Sequence, residues 1–279
     1  MEHFAKSGYI AFFDILGFKN LVHSNELNKV TSIYFILFES VMRQLSVQLL
    51  SKDELTSQYF QIETQSNPIK SIIVSDNVVL WVEDLSIRSF VMLSTTIESM
   101  LQLGFSCGLP LRGAISSGSF SVMKLNDNVS IIGKPLIEAF SSEANQNWAG
   151  CVLNNSAFEQ LKYSCVNSEQ EWKIALSHFH NLIRYDVPSK LDNINQYVIN
   201  WTNAIDNIER VEKSFESFRS SNNNSKTLEV VNNTKTFYKY AKGISQNKKD
   251  ELLNEIFDKN FFNLIILARQ KNEEENNPN

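Results

Sequence analysis

The sequence predicts an α+β fold, and three observations carry this prediction. Residues 8–14 form an apolar, aromatic-rich run that is typical of a buried strand. Apolar residues then recur at helical spacing, and later strand-like runs come in adjacent pairs. The predicted order up to residue 155 is β-α-α-β-β-α-β-β-α-β, which favours an α+β protein over a doubly wound parallel sheet.

Two helices follow the first strand. A short helix is predicted over 16–23, directly after the strand. A long amphipathic helix is predicted over 29–50, where Val30, Ile33 and Leu37 are among the apolar residues at helical spacing.

Two extended segments come next, at 58–64 and 71–83. The second contains the turn-prone run S-D-N at 75–77 between two β-branched runs. It therefore predicts a hairpin with Asp76 at its tip.

The next predicted helix is capped by Asp84 and ends at Gly104, because glycine commonly terminates helices. The remaining elements of this half are strands at 109–122 and 127–133, a helix over 134–145 with Pro135 in its first turn, and a strand at 150–154.

The chain changes character after residue 155. We expect one domain over 1–155 and a mainly helical extension over 156–279 that packs on it, with an extended piece at 195–201. A C-terminal helix is predicted over 256–270, and the polar tail from about residue 270 is predicted to be disordered.

Composition excludes several classes of protein. A hydrophobic content of 43% in 279 residues is ample for a core. The net charge of −5 argues against nonspecific nucleic-acid binding, which requires a basic surface. No apolar run approaches the ~18 residues that span a bilayer, and the three cysteines fit a reducing compartment. We expect a cytoplasmic protein that binds neither nucleic acid nor membrane.

Two aspartates predict a cation site. Asp14 interrupts an apolar run, where an unpaired carboxylate is costly to bury. If its strand neighbours the hairpin, Asp14 and Asp76 converge at one edge of the sheet. Two carboxylates and a backbone carbonyl suit Mg²⁺ or Mn²⁺. The alternative for each aspartate is an ordinary capping or turn role.

Gly17 marks the point where the first strand becomes a helix. Its lack of a side chain lets the amides of Leu16, Gly17 and Phe18 approach an anion, and the start of the helix adds a favourable dipole. These amides are predicted to bind the terminal phosphates of a triphosphate.

Four segments in order, FFDILGF, VSDNVVLW, LRGAISSG and GKPLIEAF, resemble the signature of class III nucleotidyl cyclases over residues 8–155. Within that family the chain most resembles the bacterial pyrimidine cyclases of Pycsar anti-phage systems. The resemblance implies a ferredoxin-like core with a mostly antiparallel sheet. It also implies that Asp14 and Asp76 hold two divalent ions with the carbonyl of Ile15, and that Arg112 matches the arginine of the family's R-x-G-I strand.

Two departures from the family concern the base. Ile72 and Ser130 stand where purine cyclases have a lysine and an aspartate. Isoleucine cannot hydrogen-bond a base, whereas the Ser130 hydroxyl can serve either edge of a pyrimidine.

Two further departures concern the transition state. Ile137 and Ser141 stand where the family has an asparagine and an arginine. Arg112 and Lys134 are the cations best placed by sequence to compensate.

The resemblance therefore implies a cyclase that converts a pyrimidine nucleoside triphosphate, UTP in preference to CTP, to its 3′,5′-cyclic monophosphate and pyrophosphate in anti-phage defence. It further implies a head-to-tail homodimer with a shared active site. Two alternatives remain: a noncatalytic nucleotide-binding module on the same fold, and a two-metal phosphohydrolase or polymerase relative.

Overall fold

The structure is a computed structural model that describes residues 2–48, 69–125, 128–167, 181–216 and 225–244. The predicted strand at 58–64, the predicted C-terminal helix and the predicted disordered tail lie outside these residues.

The described elements begin with strand β1 (Glu2–Ile15), helices α1 (Phe18–Ser24) and α2 (Leu27–Gln48), strands β2 (Lys70–Val74) and β3 (Asn77–Val82), and helix α3 (Ile87–Cys107). They continue with β4 (Leu111–Leu125), β5 (Asn128–Gly133), α4 (Lys134–Asn145), β6 (Gly150–Leu153) and α5 (Asn155–Asn167). The last are β7 (Leu182–Val187), β8 (Ile194–Ile199), a 3₁₀ turn (Thr202–Ala204), α6 (Ile208–Lys213) and α7 (Ser225–Gly243).

Within the described part of the chain, one sheet contains eight strands. Seven follow the order β2-β3-β1-β4-β6-β8-β7, and β5 pairs with β4. The β4–β6 pair is parallel and the other pairs are antiparallel. The predicted α+β fold, a mostly antiparallel sheet flanked by helices, is confirmed.

Strand β1 lies inside the sheet and is buried on both faces. Tyr9 and Phe13 belong to the main core beneath the helices, whereas Ile10 belongs to a smaller cluster with Trp81 and Phe120. A strand covered on both faces needs an uninterrupted apolar run rather than an alternating one. This explains the composition of residues 8–14.

The start of α3 differs from the prediction. Its N-cap is Ser86, whose hydroxyl accepts a 3.1 Å hydrogen bond from the amide of Ser89. The Asp84 carboxylate instead accepts hydrogen bonds from the amide of Ser86 at 2.9 Å and the hydroxyl of Ser89 at 2.6 Å. Asp84 therefore stabilises the turn before the helix, and the prediction that it caps the helix is wrong.

The end of α3 also differs, because the helix runs through Gly104 to Cys107. It ends at Gly108, whose φ of 76° is left-handed and whose amide donates to the Gly104 carbonyl. A Cβ at Gly104 would lie 2.3 Å from Cδ1 of Leu111 and 2.5 Å from the carbonyl oxygen of Leu109. Glycine is needed at 104 for close packing rather than for termination.

Residues beyond 155 contribute strands as well as helices to the described structure. The extended piece at 195–201 is confirmed as β8, which pairs with β6 through Val198 and Val152. Strand β7 was not predicted, because its charged residues Arg184 and Asp186 interrupt a short apolar run. No helix among the described residues is long and apolar enough to cross a bilayer.

Candidate functional site

Asp14 and Asp76 lie at the same edge of the sheet. Asp14 is the penultimate residue of β1, opposite Asn77 of β3 and Arg112 of β4. Asp76 lies in the turn between β2 and β3, and its carbonyl accepts a 2.9 Å hydrogen bond from the amide of Ile15. The charge of Asp76 is close enough to raise the pKa of Asp14.

The turn that carries Asp76 is held by its neighbours. Ser75 has a left-handed φ of 57°, and its carbonyl accepts a 2.6 Å hydrogen bond from the hydroxyl of Tyr34 on α2. The side-chain amide of Asn77 donates to Oδ1 of Asp76 at 3.2 Å. The Asp76 carboxylate is therefore oriented by the protein itself.

A buried ion pair lies beside Asp14. Nε and Nη2 of Arg112 each lie 2.6 Å from Oε1 of Glu143, and Nη1 donates to the carbonyl of Gln146 at 3.1 Å. Nη2 lies 3.6 Å from Oδ2 of Asp14. The side chains of Arg112 and Glu143 are only 13% and 5% exposed. Glu143, on α4, is a site residue that the sequence analysis missed.

The site around Asp14 contains more carboxylates than cationic side chains. The pKa of Asp14 is raised from 3.8 to about 6, chiefly by burial and then by the charge of Glu143, with a smaller contribution from Asp76. Arg112 and Lys190 act in the opposite direction. A divalent cation would neutralise the excess of carboxylates, so the site fits such an ion.

The side-chain donors at this edge are few. Among the described residues, no group of three or more His, Cys, Asp and Glu side chains is arranged to hold a metal ion. A cation here would have the carboxylates of Asp14 and Asp76 and the carbonyl of Ile15 as protein ligands. This limited set suits Mg²⁺ or Mn²⁺, because these ions retain waters or substrate oxygens in their other positions.

Lys190 is a second cation that the sequence analysis missed. It lies between β7 and β8, and its amide donates to the carbonyl of Asn145 at 2.8 Å. Its ammonium group donates to the carbonyl of Ala144. These bonds tie the β7–β8 connection to the end of α4, near the aspartate site.

The predicted phosphate-binding amides are only partly available. The Leu16 amide donates to the carbonyl of Pro110 at 2.9 Å, so Leu16 is removed from the predicted set. Gly17, with a φ of 77°, is the N-cap of α1, and helix α1 begins at Phe18. The amides of Gly17 and Phe18 therefore lie where a helix has no internal acceptors for them.

Ser130 and Lys134 are not brought to the aspartates of the same chain. Ser130 pairs with Met123, roughly 36 Å along β4 from Arg112 at ~3.3 Å per residue. Lys134 begins α4, about 14 Å along the helix axis from Glu143. Its side chain is 85% exposed and pairs with Glu138 at 3.4 Å.

A cleft of about 540 Å³ opens between α4 and the β7–β8 hairpin. Amide and hydroxyl side chains form much of its wall, including Asn154 and Asn195. Ile137 and Ser141, the two positions that depart from the family's transition-state pair, also line this cleft. The side chain of Ile137 is 64% exposed and so presents an apolar surface there.

Comparisons with known proteins give only structural likenesses, since no family model and no curated protein matches the chain. The guanylyl cyclase Cya2 is 8% identical, with 71% of this chain and 93% of that chain covered and a TM-score of 0.44. A bacterial light-regulated adenylyl cyclase is 14% identical, with 80% and 59% covered and a TM-score of 0.43.

A third similar structure is the non-canonical dimeric guanylyl cyclase domain of the RhoGC fusion protein from the aquatic fungus Blastocladiella emersonii. It is 11% identical, with 71% of this chain and 98% of that chain covered and a TM-score of 0.42.

Proposed function

We propose that the protein is a metal-dependent nucleotidyl cyclase acting on a pyrimidine nucleoside triphosphate. The observation that supports this most is the position of Asp14 near the end of β1 and of Asp76 in the turn before the neighbouring strand β3. Both lie at one edge of the sheet, where carboxylates outnumber cations. The ordered sequence segments that resemble class III cyclases carry the same two aspartates.

In the proposed reaction, the ribose 3′-hydroxyl loses its proton to solvent and attacks the α-phosphate. A new phosphorus–oxygen bond closes the ring, the bond from the α-phosphorus to the bridging oxygen breaks, and pyrophosphate leaves. Asp14, Asp76 and the carbonyl of Ile15 would hold two divalent ions, Mn²⁺ or Mg²⁺. Such ions, when bound, lower the pKa of the attacking hydroxyl and neutralise the leaving pyrophosphate. Arg112 would lie beside this centre with its guanidinium bonded to Glu143, and the amides of Gly17 and Phe18 would face the phosphates.

The choice of a pyrimidine depends on two positions. Ile72 packs against the smaller apolar cluster of the sheet and has no group that recognises adenine. Ser130 is exposed on β5 and carries a hydroxyl that can donate to or accept from a pyrimidine edge. We favour UTP over CTP and propose that the cyclic product is a second messenger in antiviral defence within the cytoplasm.

The proposed active site requires two copies of the chain. Ser130 and Lys134 lie far from Asp14 within one chain, so they would reach the same triphosphate only from a partner molecule. We therefore propose a homodimer in which residues 1–155 form the catalytic domain and each site is shared.

A noncatalytic nucleotide-binding module is the second candidate. Ile137 presents an apolar side chain where the family has a transition-state asparagine. The shortest contacts of the Arg112 guanidinium are to Glu143 rather than to the aspartates. Such a protein would bind a triphosphate at the aspartates without turning it over.

The deciding experiment is incubation of the purified protein with Mn²⁺ and, separately, ATP, GTP, CTP and UTP, with products identified by mass. Cyclic UMP, with less cyclic CMP, is the expected result. Binding without any product would favour the noncatalytic module, and release of inorganic phosphate would favour a phosphohydrolase.

A further inference from the structure

We propose that Glu143 is a positioning residue that takes up the charge of Arg112 and thereby leaves the Asp14 carboxylate available to a divalent cation. This inference rests on the proposed function, in which Asp14 is a cation ligand. It concerns a residue of α4 that would itself touch neither the cation nor the substrate.

The first support is that the Arg112 guanidinium lies closer to Glu143 than to Asp14. Two of its nitrogens lie 2.6 Å from Oε1 of Glu143, whereas Asp14 has only the 3.6 Å approach of Nη2. Charge-assisted hydrogen bonds are typically about 2.7–2.9 Å long. Arg112 is therefore bonded to Glu143 and only an electrostatic neighbour of Asp14, although Asp14 is its direct partner across the sheet.

The second support is that the end of α4, which carries Glu143, is tied to β4. Gln146, whose carbonyl accepts a hydrogen bond from Arg112, lies three residues after Glu143. Its Nε2 donates to the carbonyl of Gly113 at 2.9 Å, and its Oε1 accepts from Nε1 of Trp148 at 3.0 Å. These bonds join the end of α4 to β4, the strand that carries Arg112. Glu143 is 4% exposed, so its carboxylate lies away from solvent beside the guanidinium.

The charge of Glu143 therefore has two effects on Asp14. Without it, the positive charge of Arg112 would be balanced mainly by Asp14, and a cation would have to compete with an internal ion pair. Its removal would also take away a negative charge that attracts cations to this edge of the sheet. Both effects predict weaker cation binding when Glu143 is neutral.

The test is direct binding of Mn²⁺ without nucleotide, followed by the electron paramagnetic resonance signal of the free ion at a pH well above the pKa of Asp14. Glu143→Gln is expected to weaken binding about tenfold or more, the usual effect of removing a supporting residue. The double variant Arg112→Met/Glu143→Gln removes both charges and is expected to recover most of the lost affinity. A purely structural role would not produce this recovery.

Glu159→Gln is the matched control, because Glu159 is an exposed residue on α5 that pairs with Lys162. Thermal unfolding shows whether each variant is folded. A folded Glu143→Gln protein with unchanged Mn²⁺ affinity would overturn the inference, as would a double variant that binds no better than Glu143→Gln. If Asp14→Asn left Mn²⁺ binding of the otherwise wild-type protein intact, the cation site of the proposed function would itself be overturned.

Discussion

The amide of Ile15 donates a 2.9 Å hydrogen bond to the carbonyl of Asp76, which joins the last residue of β1 to the turn between β2 and β3. This bond sets the spacing between Asp76 and the neighbouring Asp14. The two aspartates are therefore related by backbone geometry, and their side chains can be neutralised without removing the bond.

Replacing either aspartate with asparagine is expected to lower cyclase activity by about 100-fold or more, because an amide is a poorer ligand for a divalent ion and lacks the charge. The measurement is kcat/KM for UTP with Mn²⁺. Asp206→Asn provides the control, since Asp206 has an 84% exposed side chain that pairs with Arg210. Full activity of either Asp14→Asn or Asp76→Asn would contradict the proposed function.

Folding stability is expected to depend on the ionisation of Asp14. Its pKa in the folded protein is raised from 3.8 to about 6, so the folded state holds this proton more tightly than the unfolded chain does. A rise in pH from 3.8 through about 6 therefore removes folding stability, and no further loss from this group follows above that range.

Asp14→Asn, which mimics the protonated carboxyl, is expected to exceed the wild type in stability at neutral pH by on the order of 2 kcal/mol. The two proteins should converge as the pH falls to about 4. Urea unfolding in buffer free of divalent ions measures this difference. A stability difference that does not change with pH would show that the Asp14 pKa is not raised.

Gly104→Ala is expected to destabilise the protein by about 1–3 kcal/mol, the usual cost of overpacking a core. The new methyl group would meet the backbone of Leu109 and the side chain of Leu111, and neither can move freely. Gly243→Ala is the control, because a Cβ at Gly243 would have no atom within 4 Å. Equal denaturation midpoints for the two variants would contradict the close packing at Gly104.

Mixing two inactive variants tests whether the site is shared. Asp14→Asn removes a metal ligand, and Lys134→Ala removes a residue that the partner chain is proposed to supply. In a mixed dimer, one of the two sites would combine the intact Asp14 of one chain with the intact Lys134 of the other. Random exchange of subunits is expected to restore about a quarter of wild-type activity. No recovery, with subunit exchange verified by mass, would indicate that each site lies within one chain.

The parts of the site that the sequence predicted are those set by local pattern. An apolar run ending at Asp14 and a turn centred on Asp76 are visible in short stretches of the sequence. The sequence leaves open whether their strands are neighbours, and the pairing of β1 with β3 shows that they are. Glu143 and Lys190 are separated from Asp14 by long stretches of chain, and neither lies in a motif. Only the packing of α4 and of the β7–β8 connection brings their charges to this edge.

The contrast between local pattern and tertiary contact also explains two predictions that the structure corrects, at Gly104 and at Leu16. A helix end was predicted at Gly104 because glycine commonly terminates helices. Glycine is instead needed there because Leu109 and Leu111 lie too close for any side chain. The Leu16 amide lies just before the start of α1, but the pairing of β1 with the chain before β4 continues one residue further. The amide therefore donates its hydrogen bond to the carbonyl of Pro110. Tertiary contacts decided both positions.

The place of β6 in the sheet has a consequence for any shortened form of this protein. β6 lies between β4 and β8, and Cys151, Val152 and Leu153 are fully buried or nearly so. Ending the chain at residue 155 would turn this strand into a bare hydrophobic edge, open to pairing with other molecules. Self-association into insoluble material would then mask whatever catalytic ability the N-terminal part possesses.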